Sequence, residues 1–187
     1  MTNSATQRIS ELVGRRALGE PVEAKLIAWA CDMLAEGHDA KSLRFLAGGT
    51  ENDSSLDIGD EFDQALIELG YSPPPKREAL DDYGCFVCRC IVDGNVDLEN
   101  AHRILYEIWM KTNYDPEIEG DRRFDVWMYL QDSLELVEDG YQPLLPQFVG
   151  LSKKTYHDIL KREAQSFIDQ HCKSIPANFV VAQNQSH

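Results

Sequence analysis

The densest cluster of reactive side chains is CFVCRC, which sets Cys85, Cys88 and Cys90 within one short stretch. Cys85 and Cys88 have the two-residue gap of a zinc-binding pair, but a structural zinc site takes four ligands and no second close pair occurs. On a regular helix Cys90 points roughly 160° away from Cys88, so the three cannot converge without unwinding. Thioredoxin-like chemistry would need a strand before the motif, and none is legible. The five cysteines are therefore expected as free, mostly buried thiols. Glu99 and His102 form one Glu-x-x-His unit, which di-iron bundles use in pairs, and the second copy is missing. His102 is expected at the margin of an apolar helix face.

Asp115, Glu117, Glu119 and Gly120 partly follow a calcium-binding loop, but its twelfth position, where a bidentate glutamate belongs, is Val126. Gly-x-Ser-x-Gly and phosphate-cradling glycine loops are absent, and His38, His157, His171 and His187 stand apart near expected helix ends. No cofactor and no enzymatic activity are expected.

One further pattern is chemical. At about 100° per residue, the stretch DRRFDVWMYLQDSLELVED (121–139) divides into two faces. Asp121, Asp125, Met128, Asp132, Glu135 and Asp139 fall on one stripe. Val126, Trp127, Leu130, Leu134 and Val137 fall opposite, on the side expected to pack. Residues 115–140 hold nine acids against two bases. Like charges at i,i+4, such as Asp121/Asp125 and Glu135/Asp139, each cost a few tenths of a kcal/mol. Acids in the last turn also oppose the helix dipole. Tolerating both points to a surface kept for another use. These six residues are the candidate partner-binding surface.

The elements that must position these groups read as helices throughout. Val22, Leu26, Trp29 and Met33 recur at helical spacing, with Pro21 expected at a first helical position and Gly37 at the close. A short helix spans Lys41 to Ala47. Asp57 is the expected cap of the next, which buries Ile58, Phe62, Ala65, Leu66 and Leu69. YSPPP (71–75) is a stiff connector, read as a hinge inside one domain. Lys76 to Asp93 is apolar on two faces and is expected to be central. Asp97 caps a helix carrying Leu98, Ala101, Ile104, Leu105, Ile108 and Trp109. Ser152 opens the last helix, with Tyr156, Ile159, Leu160, Ala164, Phe167 and Ile168 as its core positions. No alternating strand pattern occurs, and turn signals come at helix spacing. The fold expected is all-α, an irregular bundle of six to eight helices around the central helix 76–93. Residues 1–172 are read as a single domain and 173–187 as a mobile tail.

The 187 residues, 43% apolar and 27% charged, suffice for a real core. The charge is far from balanced: 32 acids against 18 bases give −14. Such a field repels phosphate backbones, which argues against nucleic acid, and attracts basic proteins. No apolar run approaches the ~20 residues of a membrane span, and MTNSATQRIS lacks the order of a secretory signal. Odd cysteine count and clustering point to a reducing, cytoplasmic setting.

The runs WACDMLAEGHDAKSLRFLAG (29–48) and IVDGNVDLENAHRILYEIW (91–109) resemble segments of small uncharacterised helical bacterial proteins, some of which stand beside toxin genes as immunity factors. The resemblance implies a bacterial cytoplasmic binding protein, of the immunity type that blocks a basic toxin. It carries over no functional residue. The leading expectation is a non-enzymatic acidic binding protein with a basic protein partner. Two others stand beside it: a metal-dependent helical enzyme using Glu99, His102 and nearby acids, and a self-associating structural protein.

Overall fold

A computed structural model describes residues 8–50, 54–116 and 122–172, without the side chains of residues 55 and 56. Among these residues stand eight α-helices and no strand, the all-α bundle the periodicity predicts. No described helix is long and apolar enough to cross a membrane. The chain groups into two compact units whose division falls between Ala79 and Leu80, shortly after the proline connector 71–75. The expected tail, 173–187, lies outside the described residues.

The first unit contains α1 (Ile9–Leu18), α2 (Glu23–Ala35), α3 (Lys41–Ala47) and α4 (Ser55–Glu68). Its core takes one residue per turn from each helix: Ile9 and Leu12, then Leu26, Trp29 and Met33, then Leu43 and Leu46, then Ile58, Phe62 and Leu66. Each such side chain contributes about 1.5–3 kcal/mol by leaving water. Trp29 meets Phe62 edge to face, ring centroids 5.0 Å apart, the arrangement aromatic quadrupoles favour. Pro21 lies one residue outside the cap of α2, which is Val22, rather than at its first helical position. Beyond α2 the chain turns at Gly37, whose φ of 92° a side chain would resist. His38 there donates its amide to the Met33 carbonyl at 3.0 Å, closing the helix end.

The N-terminus of α3 is capped from a distance. Ala40, at its cap position, has no side-chain acceptor, and Glu68 of α4 takes the Ser42 amide at 3.0 Å instead. That bond, more than the accompanying Ser42 hydroxyl, holds the Glu68 carboxyl below its ordinary range despite some desolvation. Asp57 sits in the first turn of α4, not at its cap, which is Ser54.

α5 (Lys76–Asp93) crosses the division. The second unit takes α5 from Leu80 onward, then α6 (Leu98–Tyr114), α7 (Asp125–Glu138) and α8 (Tyr156–His171), with 3-10 turns at Arg122–Phe124 and Pro146–Phe148. α5 is buried over a broad arc, through Ala79, Leu80, Tyr83, Cys85, Val87, Cys88 and Ile91, while Val92 is exposed. Asp97 caps α6 as expected, accepting the Asn100 amide at 2.8 Å. Phe124, Trp127 and Leu130 reach into the core from the start of α7, where Phe124 and Trp127 pack on the Phe167 ring.

The cysteine expectation is corrected here. Cys85 forms a disulfide with Cys172, the residue that ends α8. The partner lies 87 residues away, out of reach of any local reading, and packing of the second unit brings the two Cα atoms to 5.6 Å. That separation suits a disulfide. Cys88 remains a buried thiol, and burial pushes its acidity well away from the thiolate range. Cys31 is an exposed thiol, not a core one.

Candidate functional site

The second unit carries a cleft of about 610 Å³ formed by α6, α7, the turn before α8 and the first residues of α8. Each long helix contributes two turns of one face. Glu99, His102, Arg103 and Tyr106 come from α6; Gln131, Leu134, Glu135 and Glu138 come from α7. Both sets follow the i, i+3, i+4, i+7 spacing of a single helix stripe. Lys153, Tyr156 and His157 close the third side.

His102 and Tyr156 are the buried members of this lining, 2% and 7% exposed. Nε2 of His102 stands 3.0 Å from the Trp127 carbonyl, and Nδ1 stands 2.6 Å from the Tyr156 hydroxyl. A carbonyl only accepts, so the proton belongs on Nε2. The neutral ring then accepts at Nδ1, and Tyr156 donates. Burial favours that neutral form, holding His102 below the ordinary imidazole range, with the Trp127 carbonyl opposing in part. The Tyr156 phenol moves the other way, pushed up first by burial and then by Glu99 and Asp97. The pair pins α6 to α7 and α8.

His102 is thus a structural histidine, further inside than its expected place at the margin of the face. A metal at this ring would have to displace Trp127 or Tyr156. Among the described residues no three histidine, cysteine, aspartate or glutamate side chains converge as a metal site. Of the calcium-like loop, 117–121 lie outside the described residues, and Asp115 is in ion-pair range of Lys111 at 3.7 Å.

Charges around the mouth are unevenly matched. Lys153 pairs with Glu138 at 3.1 Å. Arg103 turns to Glu107 and to the Asn100 side-chain oxygen, neither of which lines the cleft. Glu135 accepts from the neutral Gln131 amide at 2.8 Å. The carboxylates of Glu99 on α6 and Glu135 on α7 therefore have no cation among the described residues.

The acidic stripe of α7 is not uniform. Asp121 lies outside the described residues. Asp125 is half-buried and accepts the Trp109 indole N–H at 3.0 Å, so it joins α7 to α6. Met128 and Asp132 are half-buried, while Glu135 and Asp139 are exposed. Burial, and secondarily Glu135 one turn on, raises Asp132 above the ordinary carboxylate range. Opposite, Trp127 and Leu130 are fully buried with Ser133, whereas Val126, Leu134 and Val137 are half-buried. Only Glu135 belongs to both stripe and cleft.

Sequence reasoning missed the cleft because it needs three helices. Tyr106, Gln131 and Lys153 carried no signal alone, and Tyr156 read only as core. The available hint was a second polar stripe on α6, at 99, 103 and 106, matched by 131, 135 and 138 on α7. Comparison with protein-family models, curated proteins and solved structures finds no match.

Proposed function

We propose that the chain is a non-enzymatic binding protein that presents the acidic face of its second unit to a basic protein partner, of the immunity type that its sequence resembles. The observation that carries this is the charge of α7 and the connector beyond it. Residues 124–152 contain five acids (Asp125, Asp132, Glu135, Glu138, Asp139) and no lysine, arginine or histidine. Asp132 and Glu135 lie one turn apart on this face, and the Asp132 charge is disfavoured first by burial and then by Glu135. A cation from outside would relieve that repulsion. The overall charge of −14 acts in the same direction, speeding encounter with a basic surface and opposing one with phosphate. His102 fits the non-enzymatic reading, since both its nitrogens are engaged in holding helices together.

The test is a pull-down from the native host followed by kinetics on the partner recovered. Reversing Asp132, Glu135 and Asp139 to lysine spares Asp125, which the fold uses for Trp109. The control reverses Asp60 and Glu61 of α4 and Asp93 at the end of α5. Loss of net charge alone slows association equally in both. The α7 triple should in addition speed dissociation by a factor that the control lacks. Equal effects from the two triples would remove the α7 face as the contact surface.

A further inference from the structure

We infer that the α6–α7–α8 cleft receives an arginine side chain of the basic partner, its guanidinium held between Glu99 and Glu135 and set against the ring of Tyr106. This deepens the proposed function and rests on it, since the arginine belongs to that protein. Three observations converge on it. The cleft is a true concavity of about 610 Å³, large enough for a side chain with part of the backbone that carries it. Its α6 and α7 walls each bear a carboxylate without a cation among the described residues, while Lys153 pairs with Glu138 inside the lining and Arg103 turns to Glu107 outside it. Its lining also carries three rings, those of Tyr106, Tyr156 and His157.

Arginine fits this combination better than lysine. The guanidinium is planar, carries donors on several edges and can bond two carboxylates on opposite sides at once. Its flat face also lies favourably on an aromatic ring. A lysine ammonium is a compact, strongly hydrated point, which would satisfy one wall and leave the other. The floor is already fixed for such a guest. His102 and Tyr156 bond each other, so neither hydroxyl nor imidazole must be desolvated afresh when the cleft fills. Glu135 also joins the cleft to the exposed end of the α7 stripe, which makes the arginine pocket continuous with the acidic face.

The experiment titrates N-acetyl-arginine methylamide into the full chain and follows the aromatic resonances of Tyr106, Tyr156 and His157 by NMR. The lysine and citrulline analogues run in parallel, the second keeping shape without charge. Saturable shifts in the ~mM range are expected for arginine, roughly threefold weaker ones for lysine and none for citrulline. Glu99→Gln with Glu135→Gln should abolish the response while leaving the thermal melt in place, because both carboxylates are exposed. Absence of saturable shifts at these rings, or lysine binding as tightly as arginine, overturns the inference. The partner separates this from the broader reading. Glu99→Gln with Tyr106→Leu removes the pocket but keeps Asp132 and Asp139. If that variant holds the partner as tightly as the native chain while the Asp132, Glu135 and Asp139 triple does not, the pocket is wrong and the acidic face stands. If neither variant weakens the partner, both fall.

Discussion

The Tyr156 hydroxyl donates to Nδ1 of His102 across 2.6 Å, while the opposite nitrogen of the same ring donates to the Trp127 carbonyl. One imidazole thereby ties three helices through neutral hydrogen bonds, and its neutrality has a pH signature. In the unfolded chain His102 takes a proton near about pH 6.5, whereas burial delays this in the folded chain. Its folded value is depressed, so below about 6.5 the unfolded state binds more protons and stability falls with pH. The contribution is complete above the unfolded value and is lost as pH drops towards the folded one. His102→Phe strands a buried hydroxyl, at a cost of about 1–3 kcal/mol near neutral pH. Urea melts of both proteins at about pH 7.5 and about pH 5 should show that gap narrowing in acid. A gap independent of pH would mean that the imidazole titrates alike in both states.

Gly84 of α5 has no room for a side chain. A Cβ there would lie 2.6 Å from Cε1 and 2.8 Å from Cζ of Phe124, a ring itself packed on Phe167 at 5.1 Å. Replacing a helical glycine by alanine ordinarily gains up to about 1 kcal/mol. Here overpacking, typically about 1–3 kcal/mol, outweighs that gain, and Gly84→Ala should be less stable than the native chain. Adding Phe124→Leu should cost less in the Gly84→Ala background than in the native one, a coupling that a double-mutant cycle of denaturant melts reads directly. Additive effects would place the ring elsewhere.

The disulfide makes a prediction in two parts. Digestion without reduction should yield a peptide pair joining Cys85 to Cys172, and alkylation of the folded protein should modify exposed Cys31 well before buried Cys88. Replacing both Cys85 and Cys172 by serine should lower stability by about 2–4 kcal/mol, since the crosslink restricts the unfolded chain over a long loop. Five readily alkylated thiols in the native protein would refute the pairing.

Local signals were good guides to the helices, because each one needs only its own stripe and its own ends. Asp97 announces α6 by side-chain chemistry, and Trp127 with Leu130 announces the inner face of α7 by spacing alone. What a stripe cannot say is which neighbour meets it. Asp125 sits on the polar side of its wheel, yet Trp109 of another helix claims it. Glu68 caps a helix that is not its own, as Ala40 leaves the Ser42 amide to be met from elsewhere. His102 looks marginal on α6 and is buried only because Trp127 and Tyr156 arrive from α7 and α8. The cleft shares that origin: each helix supplies an ordinary polar stripe, and the concavity exists only where three of them meet.

The place of Cys88 bears on how the protein oxidises during biogenesis. When the end of α8 is first made, three thiols near the middle of the chain can compete for Cys172. Exchange proceeds through the thiolate, and a group held in its neutral form is a poor attacker. Folding of α5 removes Cys88 from that competition by burying it. The same packing that sets Cys85 beside Cys172 therefore also lowers the rate of one wrong pairing, and a chain oxidised before α5 has folded would lack that selectivity.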